Sequence, residues 1–363
     1  MLTRKETDRR YTVDVIIPTY RPGAEFVRLI RALREQEYPV HQILIIDTES
    51  GVFPDELELT AGEESALSGG DRQHASEIAA DAVPEEKQHT SDVPGSGCLN
   101  SGTQLQIIRI SPEEFDHGGT RMRGAMMSKA DIVVFMTQDA FPADDQLIGS
   151  FVSVFEQYED VGIAYGRQLP REDCGVIERY TRAFNYPAES RIKSKEDLDE
   201  LGIKTFFCSD VCAAYRRKYL LVTGGFVSPA IFNEDMIFAG ERILAGDRVA
   251  YAAQAQVIHS HNYTGRQQFH RNFDLAVSQA QHAEVFGCVS SEGEGIRLVK
   301  QTAAYLLKHG KLFQIFRLVF QSGCKYIGYF LGKRYQKLPR WLILRCTASR
   351  NYWKKLWRKP KMQ

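Results

Sequence analysis

The chain has 363 residues, of which 43% are hydrophobic and 25% are charged, and its formal net charge is zero. This length fits one large domain or two moderate ones, and the composition excludes a fully disordered chain, a collagen-like fibre and a disulfide-rich scaffold. No run of 18 apolar residues occurs, which argues against a membrane-spanning helix. The seven cysteines form no C-x-x-C pair and indicate reduced thiols in a cytosolic setting.

The apolar pattern alternates between strand-like and helical periods along most of the chain. It predicts, in chain order, a strand over 13–18, a helix over 24–35, strands over 42–46 and 105–110, a helix over 119–130, a strand over 131–136, a helix over 145–157, a strand over 161–165, a β-like run over 205–215, a helix over 234–245 after Asn233 as N-cap, short strands over 249–251 and 257–259, and helices over 265–285 and within 296–357. Strands separated by helices imply a mainly parallel sheet in an α/β domain. In such sheets, ligands bind at the carboxyl ends of the strands.

Residues 52–104 interrupt this pattern between the second and third predicted strands. They contain 11 acidic and two basic residues, with many small residues and no sustained apolar face. This composition predicts a mobile, disordered acidic insertion.

The neutral total hides an uneven distribution of charge. Residues 296–363 contain 17 lysines and arginines and no acidic residue, whereas residues 1–295 contain 29 basic and 46 acidic residues. This split predicts an acidic domain over 1–295 and a basic helical tail over 296–363. The aromatic and aliphatic residues between the basic residues of the tail suit an interfacial helix on anionic lipid. Alternatively, these apolar residues pack on the acidic domain and only the charges are exposed. No recognised nucleic-acid-binding fold accompanies the positive charge, so no nucleic-acid partner is expected.

The segment after the first predicted strand indicates which nucleotide cofactors the sheet does not bind. A dinucleotide-binding fold places G-x-G-x-x-G there, so that backbone N–H groups can approach the pyrophosphate. Residues 18–23 instead read PTYRPG, and their two prolines have no N–H to donate. The chain also has no Walker loop. A nicotinamide-dependent enzyme and a P-loop NTPase are therefore disfavoured.

Several short motifs follow predicted strands or precede a predicted helix. They are Ile17-Pro18-Thr19-Tyr20, residues 45–50 (IIDTES), Thr137-Gln138-Asp139 and Asn233-Glu234-Asp235. Their order resembles that of family-2 glycosyltransferases with the GT-A fold. Residues 115–121 (FDHGGTR), 165–171 (YGRQLPR) and 259–263 (HSHNY) are similar to the bacterial rhamnosyltransferase branch of that family. The resemblance covers about residues 12–285 without the insertion. It implies an α/β GT-A domain, in which a Rossmann-like mixed, mainly parallel sheet is flanked by helices.

The resemblance implies a donor site at the ends of the first two strands and near the helix over 119–130. Asp47 matches the aspartate that contacts the nucleotide base, and Pro18, Thr19 and Tyr20 match the segment beside it. Arg121 matches an arginine near the donor, where a guanidinium can pair with diphosphate oxygens. An ordinary turn aspartate at position 47 and a loop threonine at position 19 are the structural alternatives.

The resemblance also implies a site for a divalent cation, Mg²⁺ or Mn²⁺. Thr137, Gln138 and Asp139 occupy the place of the family's Asp-x-Asp motif, with a threonine in place of the first carboxylate. Asp139 would hold the cation between the donor phosphates, and Gln138 would lie in the donor site. His259 and His261 share one face of a strand, and one of them would complete the metal site. His261 is the expected ligand. The alternative is a pair of half-buried strand histidines.

Glu234 and Asp235 are the candidate catalytic residues. The resemblance implies that Asp235 is the general base, which removes the proton of the acceptor hydroxyl in a single displacement, and that Glu234 positions the acceptor. The alternative is that two acidic residues simply stabilise a helix N-terminus. His117 is similarly open between a loop or capping role and a contact with substrate.

The resemblance therefore implies an inverting glycosyltransferase that moves a sugar from a nucleotide donor to a cell-surface polysaccharide or lipid-linked glycan. The expected donor is dTDP-L-rhamnose, and the expected location is the cytoplasm, peripherally at the inner face of the cell membrane. One alternative is the same fold with another nucleotide-hexose donor. Another is a non-catalytic scaffold subunit of a glycan assembly complex, which the presence of Asp139, Glu234 and Asp235 argues against.

Overall fold

The computed structural model describes residues 10–49, 51–57 and 102–358. Most of the predicted acidic insertion therefore lies outside the described residues. The described chain folds around one mixed β-sheet with helices on both faces, which confirms the predicted α/β class.

Nine strands form the sheet within the described residues. They are β1 (Val13–Tyr20), β2 (Gln42–Thr48), β3 (Gln104–Ile110), β4 (Ile132–Met136), β5 (Phe141–Pro142), β6 (Val161–Leu169), β7 (Arg191–Lys193), β8 (Cys212–Arg216) and β9 (Arg248–Ile258). The strand order is β3-β2-β1-β4-β8-β6-β9-β5, and β7 pairs with β9. The first four strands pair in parallel, as do β6 and β9, whereas β8 is antiparallel to both of its neighbours.

The α-helices lie on both faces of the sheet and at the C-terminal end of the chain. They are α1 (Ala24–Arg34), α2 (His117–Met127), α3 (Leu147–Gln157), α4 (Val176–Asn185), α5 (Leu198–Leu201), α6 (Arg217–Val222), α7 (Glu234–Leu244), α8 (Gly265–Gln281), α9 (Ala283–Phe286), α10 (Ser291–Lys308), α11 (Leu312–Gly332), α12 (Arg340–Cys346) and α13 (Arg350–Arg358).

The core lies on both faces of the sheet because the central strands are apolar at nearly every position. Ile17 faces one layer, where Leu29 of α1 and Phe151 of α3 are buried, whereas Ile16 faces the other, where Phe238 of α7 is buried. Alternation of side chains along a strand produces this division. Strands covered on both faces read as continuous apolar runs, which is why the sequence located β1, β2 and β4.

The structure differs from the predicted elements in three places along the second half of the chain. The helix predicted over 265–285 is interrupted at His282, between α8 and α9. Within the run over 205–215, the first residues form a 3₁₀ turn (Gly202–Phe206), and β8 begins only at Cys212. The two short strands predicted over 249–251 and 257–259 are parts of one strand, β9, which shifts register against β6 between Gly166 and Arg167.

The basic C-terminal part packs against the rest of the domain and also exposes an apolar face. Helix α10 runs across the expected boundary at residue 295, and Trp353 of α13 is buried against Phe273 and Val277 of α8. Helix α11 packs closely along α8 because Gly328 lies against the α8 backbone, where a Cβ atom would clash with the carbonyl of Phe269. Among the described residues, no helix combines the length and apolar character needed to cross a membrane.

Candidate active site

The sheet topology places a crevice beside the carboxyl ends of β1 and β4. The chain leaves β1 toward β2 and β3 on one side and returns to form β4 on the other. Connections that diverge in this way open a ligand site at the carboxyl ends of the strands. The two strand ends are joined here because the Tyr20 N–H donates to Gln138 Oε1 (2.8 Å) and Gln138 Nε2 donates to the Tyr20 carbonyl (3.1 Å).

A cavity of about 420 Å³, the central cavity, lies beside this crevice. Many of its lining residues carry carboxylate or imidazole groups, among them Asp139, Asp210, Glu234, Asp235, His259 and His261. Arg182, Arg271 and Lys325 also line it and provide positive charge. The central cavity therefore combines acids, bases and cations in one place, as a site for a charged substrate requires.

Asp139, His259 and His261 form a candidate metal site. Their ligand atoms all lie within 4.8 Å of one another. The Asp139 Oδ2 atom is 3.5 Å from His259 Nε2 and 3.3 Å from His261 Nε2. His259 is buried, and its Nδ1 atom lies 3.0 Å from Gln168 Oε1, so Gln168 fixes the orientation of the ring. Orienting contacts of this kind are typical of histidines that bind metals.

The electrostatics of this group favour metal binding at neutral pH. Burial opposes the ionisation of Asp139, but His259, Thr137 and His261 beside the carboxylate outweigh burial and hold the pKa of Asp139 well below its ordinary value. Burial, together with His259, lowers the pKa of His261 to about 4. Asp139 is therefore ionised and His261 is neutral, which are the forms that coordinate a cation.

Thr19 and Asp47 meet at the ends of β1 and β2, as their pairing in the sheet dictates. The Thr19 hydroxyl donates to Asp47 Oδ1 (2.8 Å), and both side chains are buried. Tyr20, the last residue of β1, is 53% exposed, and Pro18 is half-buried beside Ile46 of β2. The contact of Asp47 with a nucleotide base stays a prediction.

The FDHGGTR motif forms the start of helix α2. The Asp116 carboxylate caps the helix by accepting from the Gly119 N–H (2.7 Å), and its other oxygen accepts from the Ala230 N–H (2.9 Å). Gly118 lies so close to the Val227 carbonyl that a Cβ atom would clash with it. These contacts hold the half-buried His117 where it lines the central cavity.

Arg121 lies one turn further along α2 and pairs with two buried carboxylates. Its Nη1 atom is 2.9 Å from Glu234 Oε1, and its Nε atom is 3.2 Å from Asp210 Oδ2. The Tyr215 hydroxyl donates to the other Asp210 oxygen (2.7 Å). The guanidinium is thus neutralised by the protein and orients Glu234, while its role toward the donor diphosphate stays a prediction.

Asp235 lies at the start of α7 and faces the central cavity. Asn233, the residue before this helix, adopts a left-handed conformation (φ 61°), which asparagine tolerates, but its side chain makes no capping hydrogen bond. The Asp235 oxygens accept from the Asp210 N–H (2.9 Å) and the Met236 N–H (2.7 Å). Burial and the adjacent charge of Glu234 raise the pKa of Asp235 to about 7. A carboxylate with this pKa suits general-base catalysis near neutral pH.

A second cavity of about 450 Å³, the tail cavity, lies at the ends of β1 and β2 and shares His117 with the central cavity. Tyr20, Thr48 and Phe115 line it on one side. The other side is lined by residues 348–352 and Lys355, which belong to the basic C-terminal part of the chain.

The structure brings together all the residues assigned to metal binding and catalysis, Asp139, His261, Glu234 and Asp235, in the central cavity. It also adds three kinds of residue that the sequence did not single out. Asp210 lies in an apolar run, where an acidic side chain contributes nothing to packing. This unusual position could have identified Asp210 from the sequence. Gln168 lies inside the YGRQLPR motif, but its bond to His259 requires knowledge of the sheet register. Arg271 and Lys325 come from helices whose faces the sequence could not orient.

The comparisons with known proteins agree with this geometry. The model of glycosyl transferase family 2 matches residues 100–222. The O-antigen chain rhamnosyltransferase WbaN of Salmonella anatum is 43% identical over 251 residues, which are 68% of this chain and 78% of that protein. The O-antigen chain rhamnosyltransferase RfbN of Salmonella typhimurium is 34% identical over 345 residues, which are 94% of this chain and 96% of that protein.

A solved structure shows the same fold at low sequence identity. The mannosyltransferase PcManGT from Pyrobaculum calidifontis, in complex with GDP-Man and Mn²⁺, superposes with a TM-score of 0.52 and is 14% identical, with coverage of 90% of this chain and 89% of that one. The GT-A fold is thereby confirmed. The chain therefore belongs to glycosyl transferase family 2, within its bacterial rhamnosyltransferase-like branch, and it is a glycosyltransferase.

Proposed function

We propose that the protein transfers L-rhamnose from dTDP-L-rhamnose to a growing cell-surface glycan, with inversion at the anomeric carbon. The observation that carries the reaction is the arrangement of the central cavity, where Asp235 and the Asp139–His259–His261 group line the same space. Asp235 suits proton removal from an acceptor hydroxyl, and the Asp139–His259–His261 group suits a cation that binds the diphosphate leaving group. The choice of rhamnose rests on the two O-antigen rhamnosyltransferase relatives and on the motifs around residues 115–121 and 259–263.

Asp139, His259 and His261 would hold a divalent cation, and their donor set indicates which kind. One carboxylate and two imidazoles suit a transition ion such as Mn²⁺ better than Mg²⁺, which demands oxygen ligands in near-octahedral geometry. When bound, such an ion neutralises charge on the donor diphosphate. Thr137 lines the same cavity beside Asp139, although it replaces a carboxylate of the family motif.

The residues of the chain divide the remaining work of a single displacement. The acceptor oxygen attacks the anomeric carbon from the face opposite the diphosphate, the bond from that carbon to the diphosphate oxygen breaks, and the acceptor proton passes to Asp235. Glu234, which is held by Arg121, orients the acceptor. Positive charge from Arg271 and Lys325 lines the same cavity and favours the anionic leaving group.

We further infer that the enzyme acts in the cytoplasm and binds the inner face of the cell membrane through helix α11. Helix α11 leaves eight large apolar residues exposed, with Phe313, Phe316 and Phe320 exposed at 90%, 77% and 66%. The exposed Lys311, Lys333 and Arg334 lie at the two ends of this helix, and residues 296–363 contain no acidic residue to oppose an anionic bilayer. An amphipathic helix with these properties binds in the membrane interface without spanning it. A lipid-linked glycan acceptor would be presented there.

A donor screen tests the substrate assignment. Purified full-length protein is supplied with Mn²⁺ and with dTDP-L-rhamnose, UDP-glucose or GDP-mannose, and nucleotide release is measured with and without a glycan acceptor. Faster turnover of dTDP-L-rhamnose is expected. A clear preference for a uridine or guanosine donor would instead favour another hexose and reject the rhamnosyl assignment.

A further inference from the structure

The tail cavity joins two parts of the chain that are about 300 residues apart. On one side are Tyr20 and Thr48, the last residues of β1 and β2. On the other side is the C-terminal segment, defined here as residues 347–358, which contains helix α13. The basic end of the chain therefore closes over the strand ends that border the central cavity.

The position of the tail cavity fits one end of an elongated ligand. His117 lines both cavities, so a molecule whose diphosphate lies near Asp139 and whose other end passes His117 would enter the tail cavity. Tyr20, which ends β1, lies in the tail cavity and is hydrogen-bonded to Gln138, the neighbour of Asp139. The two cavities thus flank a single crevice at the carboxyl ends of the strands, where α/β sheets bind nucleotides.

The lining of the tail cavity matches the chemistry of a nucleotide. Aromatic side chains of Phe115 and Tyr352 offer surfaces for a flat base, and Arg350 and Lys355 offer positive charge. The Thr48 hydroxyl is buried and has no hydrogen-bond partner among the described residues, so a polar ligand atom would satisfy it. A neutral sugar chain would make no use of the two cations.

We propose that the C-terminal segment forms one wall of the donor nucleotide site, with Arg350 and Lys355 as nucleotide-binding residues. This inference rests on the proposed nucleotide-sugar donor and assigns part of the basic tail to substrate binding, apart from any membrane contact of α11. The segment would contribute positive charge, which the hydrogen-bonded Thr19 and Asp47 at the strand ends do not provide.

The wall is held in place by contacts that do not depend on a ligand. The buried Asp274 of α8 accepts hydrogen bonds from the Thr347 hydroxyl (2.6 Å) and from the Ala348 N–H (2.9 Å). Trp353 packs in the core beneath α13, and Lys355 Nζ donates to the Phe115 carbonyl (2.7 Å). The segment is therefore pre-organised, which lowers the entropic cost of binding a nucleotide against it.

Calorimetric titration with dTDP, in the presence of Mn²⁺, tests the proposal on full-length protein. The variant Arg350→Gln/Lys355→Met removes both cations from the cavity and should raise the Kd for dTDP at least tenfold. The control variant Lys354→Met/Arg358→Gln changes two exposed cations on the same helix that do not line the cavity, and its Kd should stay within twofold of wild type. Amide exchange on the wild type provides a second measurement, because dTDP should slow exchange in residues 347–358.

A first variant that binds within twofold of wild type, together with unchanged exchange in residues 347–358, would overturn the proposal. The same titrations with UDP and GDP separate this result from a wrong donor assignment. If the wild type prefers UDP or GDP and the first variant still loses that binding, the rhamnosyl donor is wrong and the nucleotide wall stands.

Discussion

The buried carboxylate of Asp235 makes the pH dependence of turnover a direct test of the catalytic assignment. A general base must be ionised to accept a proton, so activity should fall as pH drops below the pKa of Asp235. That pKa is raised to about 7, mainly by burial and then by the charge of Glu234. The ionised fraction is then about one tenth at pH 6, one half at pH 7 and nine tenths at pH 8. The value of kcat/KM, which reports the ionisation of the free enzyme, should therefore rise roughly tenfold between pH 6 and pH 8.

The substitution Asp235→Asn should lower turnover by roughly a hundredfold or more, because the amide has no proton affinity in this range. It should also lower the free energy of unfolding by about 1–3 kcal/mol. The two Asp235 oxygens accept one hydrogen bond each from backbone N–H groups, and asparagine keeps only one of these oxygens. Donor binding should be kept, because the change removes no cation and no metal ligand. The measurement is the rate of sugar transfer as a function of pH, with dTDP binding as the control for folding.

The substitution Glu234→Gln tests whether Asp235 acts as a base whose pKa depends on Glu234, or only stabilises the start of helix α7. Removing the charge of Glu234 should shift the rising limb of the pH–rate profile to lower pH, because Glu234 contributes to the raised pKa of Asp235. A profile that stays in place in Glu234→Gln would refute this electrostatic coupling. Transfer by Asp235→Asn at a near wild-type rate would refute the assignment of the base.

Three further predictions concern the metal, the membrane face and the C-terminal segment. EDTA and Asp139→Asn should each abolish most transfer activity, and Mn²⁺ should restore the chelated enzyme at lower concentration than Mg²⁺; full activity in chelator would contradict the metal site. The triple variant Phe313→Ser/Phe316→Ser/Phe320→Ser should weaken co-sedimentation with anionic liposomes by at least about a hundredfold, since burial of each ring contributes about 1.5–3 kcal/mol; unchanged binding would remove α11 from the interface. Asp274→Ala should lower the free energy of unfolding by about 2–4 kcal/mol in denaturant titrations, because the Thr347 hydroxyl and two backbone N–H groups lose their acceptor; a loss below about 0.5 kcal/mol would show that these bonds do not hold the segment.

The sequence predicted those elements of the fold whose residue pattern is typical of a single type of secondary structure. Short apolar runs rich in β-branched residues, such as the one over β4, are typical of strands covered on both faces, and their order implied the α/β sheet. The register slip in β9 and the turn before β8 could not be predicted, because pairing across a sheet depends on partners far away in sequence. Residues 205–215 read as strand-like although only those from Cys212 onward form a strand, which shows tertiary contacts overriding local propensity.

The candidate site was predictable to the same degree and for related reasons. Asp139 and Asp235 are conspicuous because they are charged residues at the end of an apolar strand and at the start of a helix, but their roles came from the family resemblance. The pairing of Arg121 with Asp210 and Glu234 could not be read from the sequence, because it joins three elements. The contribution of Arg350 and Lys355 was hidden for another reason: the charge of the tail suggested an anionic surface, whereas their location depends on Asp274 and Trp353 fixing the segment.

Helix α11 links the proposed membrane contact to the proposed chemistry because its two sides face different partners. On the side toward the domain, Lys325 lines the central cavity, and Arg317 lies near His261 in a small adjoining cleft. The opposite side carries the exposed phenylalanines. An α-helix with its side chains is about 10–12 Å across, so a bilayer bound to the apolar side would lie within roughly one helix diameter of the cavity. A glycan attached to a lipid in that bilayer could then reach Asp235 without leaving the membrane surface, whereas a detached enzyme would have to meet the acceptor by diffusion alone. Loss of the apolar side should consequently slow transfer to lipid-linked acceptors in vesicles more than transfer to the same glycan free in solution, and equal slowing of both would show that α11 acts only through the fold.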